Sequence, residues 1–216
     1  MDIGLCVASH INDVDYVVRA EELGYSHAWL ADSQMLWSDC YATLALAAYR
    51  TNSIQLGTGV AITGTRPAPV NAASIATINA LAPGRTFFGV GSGNTARRVM
   101  GLPPQRIKEF EAYIKTLVPL LKGEEVSFDY EGKENLIKHI MPDKGFVNFE
   151  DPIPLYISGF GPKSLAIAGR YGDGAVIGAA RATSMGSMWH MVQAGAREAG
   201  RDLDPGENYY TTALTT

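Results

Sequence analysis

Short apolar segments alternate with segments of helical periodicity along almost the whole chain of 216 residues. The first apolar segment, 3–8, is followed by Val14, Val17 and Leu23 at helical spacing, and Gly24 ends the predicted helix. The strands predicted in this way cover residues 3–8, 27–31, 54–62, 85–90, 153–158, 175–178 and 209–214. Because these strands are short, apolar throughout and separated by helices, they indicate a parallel sheet buried on both faces.

The predicted helices between the strands cover residues 14–23, 39–50, 68–81, 104–121, 162–171 and 183–199. The alternation is interrupted between about 124 and 151. There the segment 126–130 alternates between apolar and polar residues, and Glu131-Gly132-Lys133 is suited to a turn. We therefore expect one domain over residues 1–216, with a hairpin and loop insertion at about 124–151.

Two parallel architectures are compatible with this pattern. A doubly wound sheet usually carries one glycine-rich cofactor loop near its amino terminus. In this chain the loops after nearly every strand contain Gly, Ser, Thr, Asn or Asp, as expected when function is spread around one end of a (β/α)8 barrel. The chain has seven predicted strands and is shorter than the roughly 250 residues typical of that fold. We therefore expect an α/β barrel without its last βα unit.

Composition excludes several classes of protein. Hydrophobic residues make up 46% of the chain, which is typical of a globular protein, and a net charge of -4 gives no reason to expect nucleic-acid binding. The apolar runs are shorter than the roughly 18 residues of a membrane span, and residues 1–12 do not resemble a signal peptide. Cys6 and Cys40 form neither a disulfide framework nor a metal-ligand cluster. We expect a cytoplasmic protein.

The loop after the predicted fourth strand, 89–98, is rich in glycine and ends in two arginines. Glycine lets the main chain approach a flat or phosphorylated ligand, and successive N–H groups can form an anion-binding nest. Arg97 and Arg98 add positive charge with a geometry that suits phosphate. The same composition also fits a flexible loop with solvated arginines, because one glycine-rich loop is a weak signal.

The loop that leads from the predicted fifth strand into a helix has a second pattern suited to phosphate. Pro162 is predicted in the first turn of this helix, so the free N–H groups and the positive end of the helix dipole face the loop. Ser158, Gly159, Gly161 and Ser164 suit a phosphate there, with Lys163 nearby. An ordinary turn is the alternative interpretation.

Two further loops and one histidine complete the candidate site. Residues 31–37 contain Asp32 and large apolar side chains, which suit one wall of a pocket for a planar ring, although Asp32 is also suited to capping the next segment. Residues 56–63 contain two glycines, which in a strand usually mark a bulge or a close ligand. Among the four histidines, only His10 follows a predicted strand directly, so it is the candidate proton donor or orienting group. No metal-ligand spacing, nucleophile elbow or Walker A sequence occurs.

Six segments in this order resemble the bacterial luciferase-like family of flavin- and F420-dependent oxidoreductases, which includes monooxygenases and methylenetetrahydromethanopterin reductases. The segments are EELGY at 21–25, WLADS at 29–33, LGTGV at 56–60, AASIATI at 72–78, GVGSGN at 89–94 and GFGPKS at 159–164. The resemblance implies a barrel that holds a flavin or deazaflavin ring at the carboxyl end of its strands, and a non-proline cis peptide between Gly59 and Val60.

The resemblance also implies roles for individual residues. Asp32 and Ser33 are expected to flank the ring, while Gly91, Ser92, Gly93 and Asn94 line the cofactor. Gly159, Phe160 and Gly161 are expected to receive its phosphate. Some F420-dependent members have histidine where this chain has Ser33, which slightly favours FMN. F420 has a long acidic tail, for which a basic groove could be supplied by Arg66, Arg97, Arg98, Lys163 and Arg181.

The function implied first is oxidation of a small organic substrate by O2 with reduced FMN, with a separate flavin reductase as a possible partner and a homodimer as the expected assembly. The first alternative is F420-dependent hydride transfer. The second is a flavin-binding protein without activity, or a fragment. A barrel isomerase for sugar phosphates is disfavoured, because the loops after the first four strands offer only Asp32 and His10 as acid–base groups.

Overall fold

A curled parallel sheet forms the centre of the protein in a computed structural model that describes residues 2–178, 185–203 and 210–213. Its strands are β1 (Gly4–Ala8), β2 (His27–Ala31), β3 (Gln55–Thr58), β4 (Ala61–Ile62), β5 (Thr86–Gly91), β8 (Leu155–Ser158), β9 (Gly174–Gly178) and β10 (Tyr210–Ala213); β6 (Val126–Tyr130) and β7 (Lys133–Ile137) form a separate hairpin. The order is β1-β2-β3-β5-β8-β9-β10, with β4 beside β5. All pairs in the large sheet are parallel, which confirms the α/β class.

Helices connect most successive strands of the large sheet. They are α1 (Asp15–Glu22), α2 (Cys40–Arg50), α3 (Ala68–Leu81), α4 (Asn94–Val99), α5 (Ile107–Leu121), α6 (Pro162–Tyr171) and α7 (Met185–Glu198). The short helix α4 lies where the sequence predicted only a loop. Helix α5 begins three residues later than predicted, because Arg106 is its N-cap: the main chain there is extended, with ψ at 144°, and the Arg106 N–H donates to the Glu109 carboxylate at 3.0 Å. Within the described residues, no helix has the length and apolar character of a membrane span.

Aromatic side chains on the concave face of the sheet show how strongly it curls. Trp29 on β2 and Tyr156 on β8 are three strand spacings apart, about 14 Å in a flat sheet. Their ring centroids are nevertheless 5.4 Å apart, and Phe87 on β5 packs against Trp29 at 4.2 Å. The three rings fill the inside of a partly closed barrel. The larger core, which includes Leu44, Ile75, Ile114 and Leu165, lies between the sheet and the helices.

The hairpin β6–β7 occupies the place where the alternation of the sequence breaks. Its strands are antiparallel, and Glu131 and Gly132 make the turn with positive φ angles of 55° and 78°. Two consecutive residues with positive φ are typical of the tight turn that matches the twist of a hairpin. The hairpin follows α5 and is not part of the large sheet.

The prediction of one strand over residues 54–62 is wrong, because the strand is interrupted between Thr58 and Ala61. The peptide bond between Gly59 and Val60 is cis, as the family resemblance implied. It separates β3, which pairs with β2 and β5, from β4, where Ile62 pairs with Gly91 of β5. The carboxyl end of this strand is thus a bent segment that lies beside β5.

Glu21 at the end of α1 fastens this helix to the segment that leads into β3. One of its carboxylate oxygens accepts hydrogen bonds from the N–H groups of Asn52, Ser53 and Ile54, at 2.9, 2.6 and 2.9 Å, and from the Ser53 hydroxyl at 3.0 Å. Burial alone raises the pKa of Glu21, but these hydrogen bonds favour the charged form and lower the pKa to about 2.

We expect Glu21→Gln to lower the free energy of unfolding at pH 7 by about 2 kcal/mol, because the hydrogen bonds lose their charged acceptor. The contribution of Glu21 is complete above its ordinary pKa of 4.5 and is lost as the pH falls towards 2, so the difference between variant and wild type shrinks at pH 3. Urea unfolding at both pH values measures it. The control Glu22→Gln removes only an exposed ion pair with Arg19 and should cost less than about 1 kcal/mol. Equal effects of the two variants would contradict the assigned role of Glu21.

Candidate functional site

A cavity of about 750 Å³ opens at the carboxyl ends of β2, β4, β5 and β8. Its volume lies within the range of small-molecule and cofactor sites. Its lining consists of Ala31, Asp32, Ser33, Trp37, Gly59, Val60, Ile62, Gly91, Ser92, Gly93, Asn94, Thr95, Ala96, Pro104, Gln105, Ile107, Phe110, Ser158, Gly159, Phe160, Gly161 and Ser164. Parallel strands bring their carboxyl ends to one edge of a sheet, so the cavity collects loops that are far apart in sequence.

The sequence-predicted cofactor residues converge on this cavity. Asp32 from the loop after β2, Asn94 at the start of α4 and Gly161 at the start of α6 all line it. Every other residue of the predicted cofactor set is also in the lining, except Lys163, whose side chain is exposed at the surface of α6. The predicted residues therefore form one site, and their contacts with a cofactor stay a prediction.

Asp32 is the charged side chain in the cavity wall, and it is held from three directions. Its side chain is only 3% exposed, and one carboxylate oxygen accepts hydrogen bonds from Arg66 at 2.6 Å and from the Ile62 N–H at 3.1 Å. The other oxygen accepts a hydrogen bond from Gln34 at 2.8 Å. Asp32 does not cap the next helix, because Asp39 accepts the Ala42 N–H at the start of α2 instead.

The glycines at the end of β5 make room for protein atoms of the neighbouring segment. A Cβ atom at Gly91 would lie 2.7 Å from a methyl group of Val60, and one at Gly93 would overlap the side chain of Ile62. Gly93 also has a positive φ of 65°, which glycine adopts without strain. The prediction that these glycines also serve close approach to a ligand stays a prediction. They let β5 pack against the bent segment after β3, whose main chain then forms the cavity wall.

Two of the arginines suggested for phosphate or for an acidic tail are engaged inside the protein. Arg97 donates to the main-chain carbonyls of Gly64 and Pro103, each at 2.7 Å, so it ties α4 to the neighbouring loops. Arg66 pairs with Asp32. The remaining candidates are Arg98 and Lys163, which are exposed, and Arg181, which lies outside the described residues.

The amino end of α6 faces the cavity and is open. Gly161 precedes Pro162, and a Cβ atom at Gly161 would meet no atom within 4 Å. The Gly161 N–H donates to the Ser164 hydroxyl at 3.3 Å, while the first N–H groups inside a helix have no intrahelical partner. Phe160 is 71% exposed beside them. This end of the helix has the space and the donors that suit an anionic group.

His10 does not line the cavity. It lies in the loop after β1, exposed, and its main-chain carbonyl accepts the N–H of Asp13. Its role as a proton donor stays a prediction. The described residues contain no group of three or more His, Cys, Asp or Glu side chains that could hold a metal ion.

Sequence reasoning missed the part of the wall that comes from the segment between α4 and α5 and from the start of α5. Pro104, Gln105, Ile107 and Phe110 belong to it. The Thr63 hydroxyl donates to Gln105 at 2.6 Å and connects this segment to the end of β4. No local pattern marks the segment, since its position depends on a contact across 42 positions of the chain.

The chain matches known proteins over most of its length. The sequence profile of the luciferase-like monooxygenase family matches residues 10–215. A 5,10-methylenetetrahydromethanopterin reductase from Methanolobus tindarius is 34% identical over 189 residues, which are 87% of this chain and 56% of that protein. An F420-dependent hydroxymycolic acid dehydrogenase from Mycobacterium tuberculosis is 32% identical, over 88% of this chain and 54% of that protein. The chain thus spans about half the length of these relatives.

Solved structures share the fold. The F420-dependent tetrahydromethanopterin reductase from Methanopyrus kandleri superposes with a TM-score of 0.78 at 22% identity, over 98% of this chain and 65% of that chain. The oxygenating constituent of 3,6-diketocamphane monooxygenase from Pseudomonas putida, in complex with FMN, superposes with a TM-score of 0.76 at 16% identity. This superposition covers 97% of this chain and 66% of that chain. These neighbours confirm the luciferase-like barrel fold. On the evidence of its profile match and its relatives, the chain belongs to the luciferase-like monooxygenase family.

Proposed function

We propose that this chain is the cofactor-binding part of an oxidoreductase that transfers a hydride between F420 and a small organic substrate. The cavity that joins Asp32, Asn94 and Gly161 in one wall carries the proposal. The relatives named above support F420, because a 5,10-methylenetetrahydromethanopterin reductase and an F420-dependent dehydrogenase are each about one third identical to this chain. We infer a small-molecule substrate, a cytoplasmic location and a homodimer as part of the same proposal.

The residues present fit a flat ring with a phosphate on a side chain. The bent main chain at Gly59 and Val60 supplies a wall that is free of long side chains, and Gly161 leaves open space beside the amino end of α6. Asp32 and Ser33 stand at the edge of the cavity formed by β2. F420 or FMN, once bound, supplies the redox chemistry. The protein orients the ring, excludes water from one face and places donors at the phosphate.

A second candidate is oxidation of a small organic substrate by O2 with reduced FMN, supplied by a separate flavin reductase. Ser33 in place of histidine favours it, as does the internal use of Arg66 and Arg97, which removes two cations from a groove for an acidic tail. FMN has one phosphate and needs only one such site. The two candidates therefore differ in whether the protein also binds an acidic cofactor tail beyond the amino end of α6.

Anaerobic titration of the 216-residue chain with F420 and, separately, with FMN tests both candidates. We expect micromolar binding of F420, seen as a change in cofactor fluorescence, and weaker binding of FMN. Tighter binding of FMN supports the second candidate. Binding without turnover of any tested substrate supports a flavin-binding protein without activity. If neither cofactor binds, the proposed function is refuted.

We expect Gly161→Asp to weaken binding of the phosphate-bearing cofactor by about tenfold or more, since a carboxylate would stand beside the phosphate. The variant should keep its thermal stability, because Asp is a favourable N-cap residue and the helix dipole favours a negative charge there. Cofactor titration and thermal unfolding measure the two properties.

The neutral variant Gly161→Asn is the matched control. It has nearly the same size and is also a favourable N-cap residue, so its effect on binding should be much smaller than that of Asp. Equal losses in the two variants would indicate steric exclusion without a nearby phosphate. Unchanged binding in Gly161→Asp would remove the amino end of α6 from the proposed site.

A further inference from the structure

Arg66 lies behind the cavity wall, in the segment between β4 and α3. One of its guanidinium nitrogens contacts Asp32 at 2.6 Å and the other contacts Asp39 at 3.3 Å. Its side chain is 16% exposed, and its guanidinium carbon lies 5.1 Å from the ring centroid of Tyr41. Arg66 itself is not part of the cavity lining, and the lining residue with which it forms an ion pair is Asp32.

On its far side Arg66 packs over Tyr41, which belongs to a partly buried chain of hydrogen bonds. The Tyr41 hydroxyl donates to the Asn71 side chain at 2.8 Å, and the Asn71 amide donates to the Tyr113 hydroxyl at 2.6 Å. Asn71 is fully buried. Burial raises the pKa of both tyrosines, so each keeps its proton and serves as a fixed polar group. The chain connects α2, α3 and α5 behind the arginine.

The Asp32 carboxylate connects Arg66 to the main chain of the cavity wall. The oxygen that accepts the hydrogen bond from Arg66 also accepts the N–H of Ile62 at 3.1 Å. Ile62 ends β4, the strand that follows the cis bond, and lines the cavity. A guanidinium can hold two carboxylates at once in a fixed plane, which an ammonium cannot reproduce.

We propose that Arg66 is a positioning residue of the cofactor site: it fixes the Asp32 carboxylate, and the carboxylate in turn fixes β4 in the cavity wall. Asp32 then serves as an acceptor of hydrogen bonds in the wall and does not donate a proton. The inference rests on the proposed function in so far as the wall contacts a cofactor. Its structural part concerns the ligand-free protein.

Hydrogen exchange of main-chain amides in the ligand-free protein tests the structural part. In Arg66→Met we expect the Ile62 amide to exchange about tenfold faster than in wild type, as for the loss of a charge-assisted hydrogen bond. The Ile114 amide in the core of α5 serves as reference. Arg66→Lys keeps the positive charge and provides a second variant in case Arg66→Met does not fold. We expect the Ile62 amide to exchange faster in Arg66→Lys than in wild type, but by a smaller factor than in Arg66→Met.

Arg19→Met is the matched control, because Arg19 forms an exposed ion pair with Glu22 and should leave Ile62 unaffected. An unchanged Ile62 amide in both Arg66 variants would overturn the proposal. Equal acceleration of Ile62 and Ile114 would overturn it as well, since it indicates a general loss of stability.

Cofactor affinity provides a second measurement, which would not change if Arg66 had a purely structural role. If Arg66 acts through Asp32, Arg66→Met weakens binding in the wild type but adds no further loss in the Asp32→Asn background. Losses that add in the double variant would refute the pathway through Asp32. Failure of the wild type to bind F420 or FMN refutes the proposed function, while the exchange experiment still decides the role of Arg66.

Discussion

Asp32→Asn is expected to lower the free energy of unfolding by about 3 to 5 kcal/mol, because it leaves the guanidinium of Arg66 without its buried counter-charge. Arg66 does not escape this cost by losing its proton, because a guanidinium group stays protonated in proteins. Asparagine has the same shape and can accept only part of the hydrogen bonds that Asp32 accepts from Arg66 and Ile62. Urea unfolding at pH 7 measures the loss.

Asp39→Asn provides a matched control for this prediction, because Asp39 is a carboxylate that contacts the same arginine. Its side chain is 57% exposed and lies 3.3 Å from Arg66, whereas the Asp32 side chain is 3% exposed and lies at 2.6 Å. Asparagine also keeps the cap of α2. We expect a loss below about 1 kcal/mol, as for an exposed ion pair. Similar losses at both positions would mean that burial does not distinguish the two contacts.

The sequence predicts most of the secondary structure because the alternation of short apolar strands and amphipathic helices is a local signal. It also predicts which loops meet, because parallel strands place their carboxyl ends at one edge. For this reason Asp32, Asn94 and Gly161, which the loop pattern and the family resemblance together assign to one site, line one cavity. The cis bond at Gly59 was accessible only through the resemblance to a family.

The remaining features depend on contacts between distant parts of the chain. Arg66 and Arg97 are of a residue type that often binds phosphate. In the folded protein, however, they form hydrogen bonds with Asp32 and Gly64, which lie 34 and 33 positions away in the sequence. Gly91 and Gly93 belong to a glycine-rich loop of the kind that binds nucleotides. The structure shows in addition that a Cβ atom at these positions would overlap the side chains of Val60 and Ile62. A sequence pattern states which residue is present and does not state which atoms surround it.

Glycines at the crossing of α6 and α7 illustrate the same limit. A Cβ atom at Gly169 of α6 would overlap the main-chain oxygen of Val192 and lie 2.8 Å from the N–H nitrogen of Ala196. From the other side, a Cβ atom at Gly195 of α7 would overlap the main chain of Ala166. The two helices therefore touch through their main chains, and this contact holds α6, whose amino end faces the cavity.

Gly169→Ala is therefore expected to destabilise the protein by about 2 to 3 kcal/mol or more, because the added methyl group separates two packed helices. The sign is opposite to that of an unhindered helical position, where alanine is about 0.5 to 1 kcal/mol more favourable than glycine. Thermal and urea unfolding measure the change. Gly195→Ala should have a comparable effect, since it is obstructed by the same pair of main chains.

Gly161→Ala supplies the control within the same helix, since a methyl group there meets no atom within 4 Å. Alanine is a poorer N-cap residue than glycine, so a loss of up to about 1 kcal/mol is expected. A stable Gly169→Ala protein would show that α6 and α7 can separate at little cost. The position of the amino end of α6 would then not depend on this crossing, and the phosphate site proposed there would lose the support of a rigid helix pair.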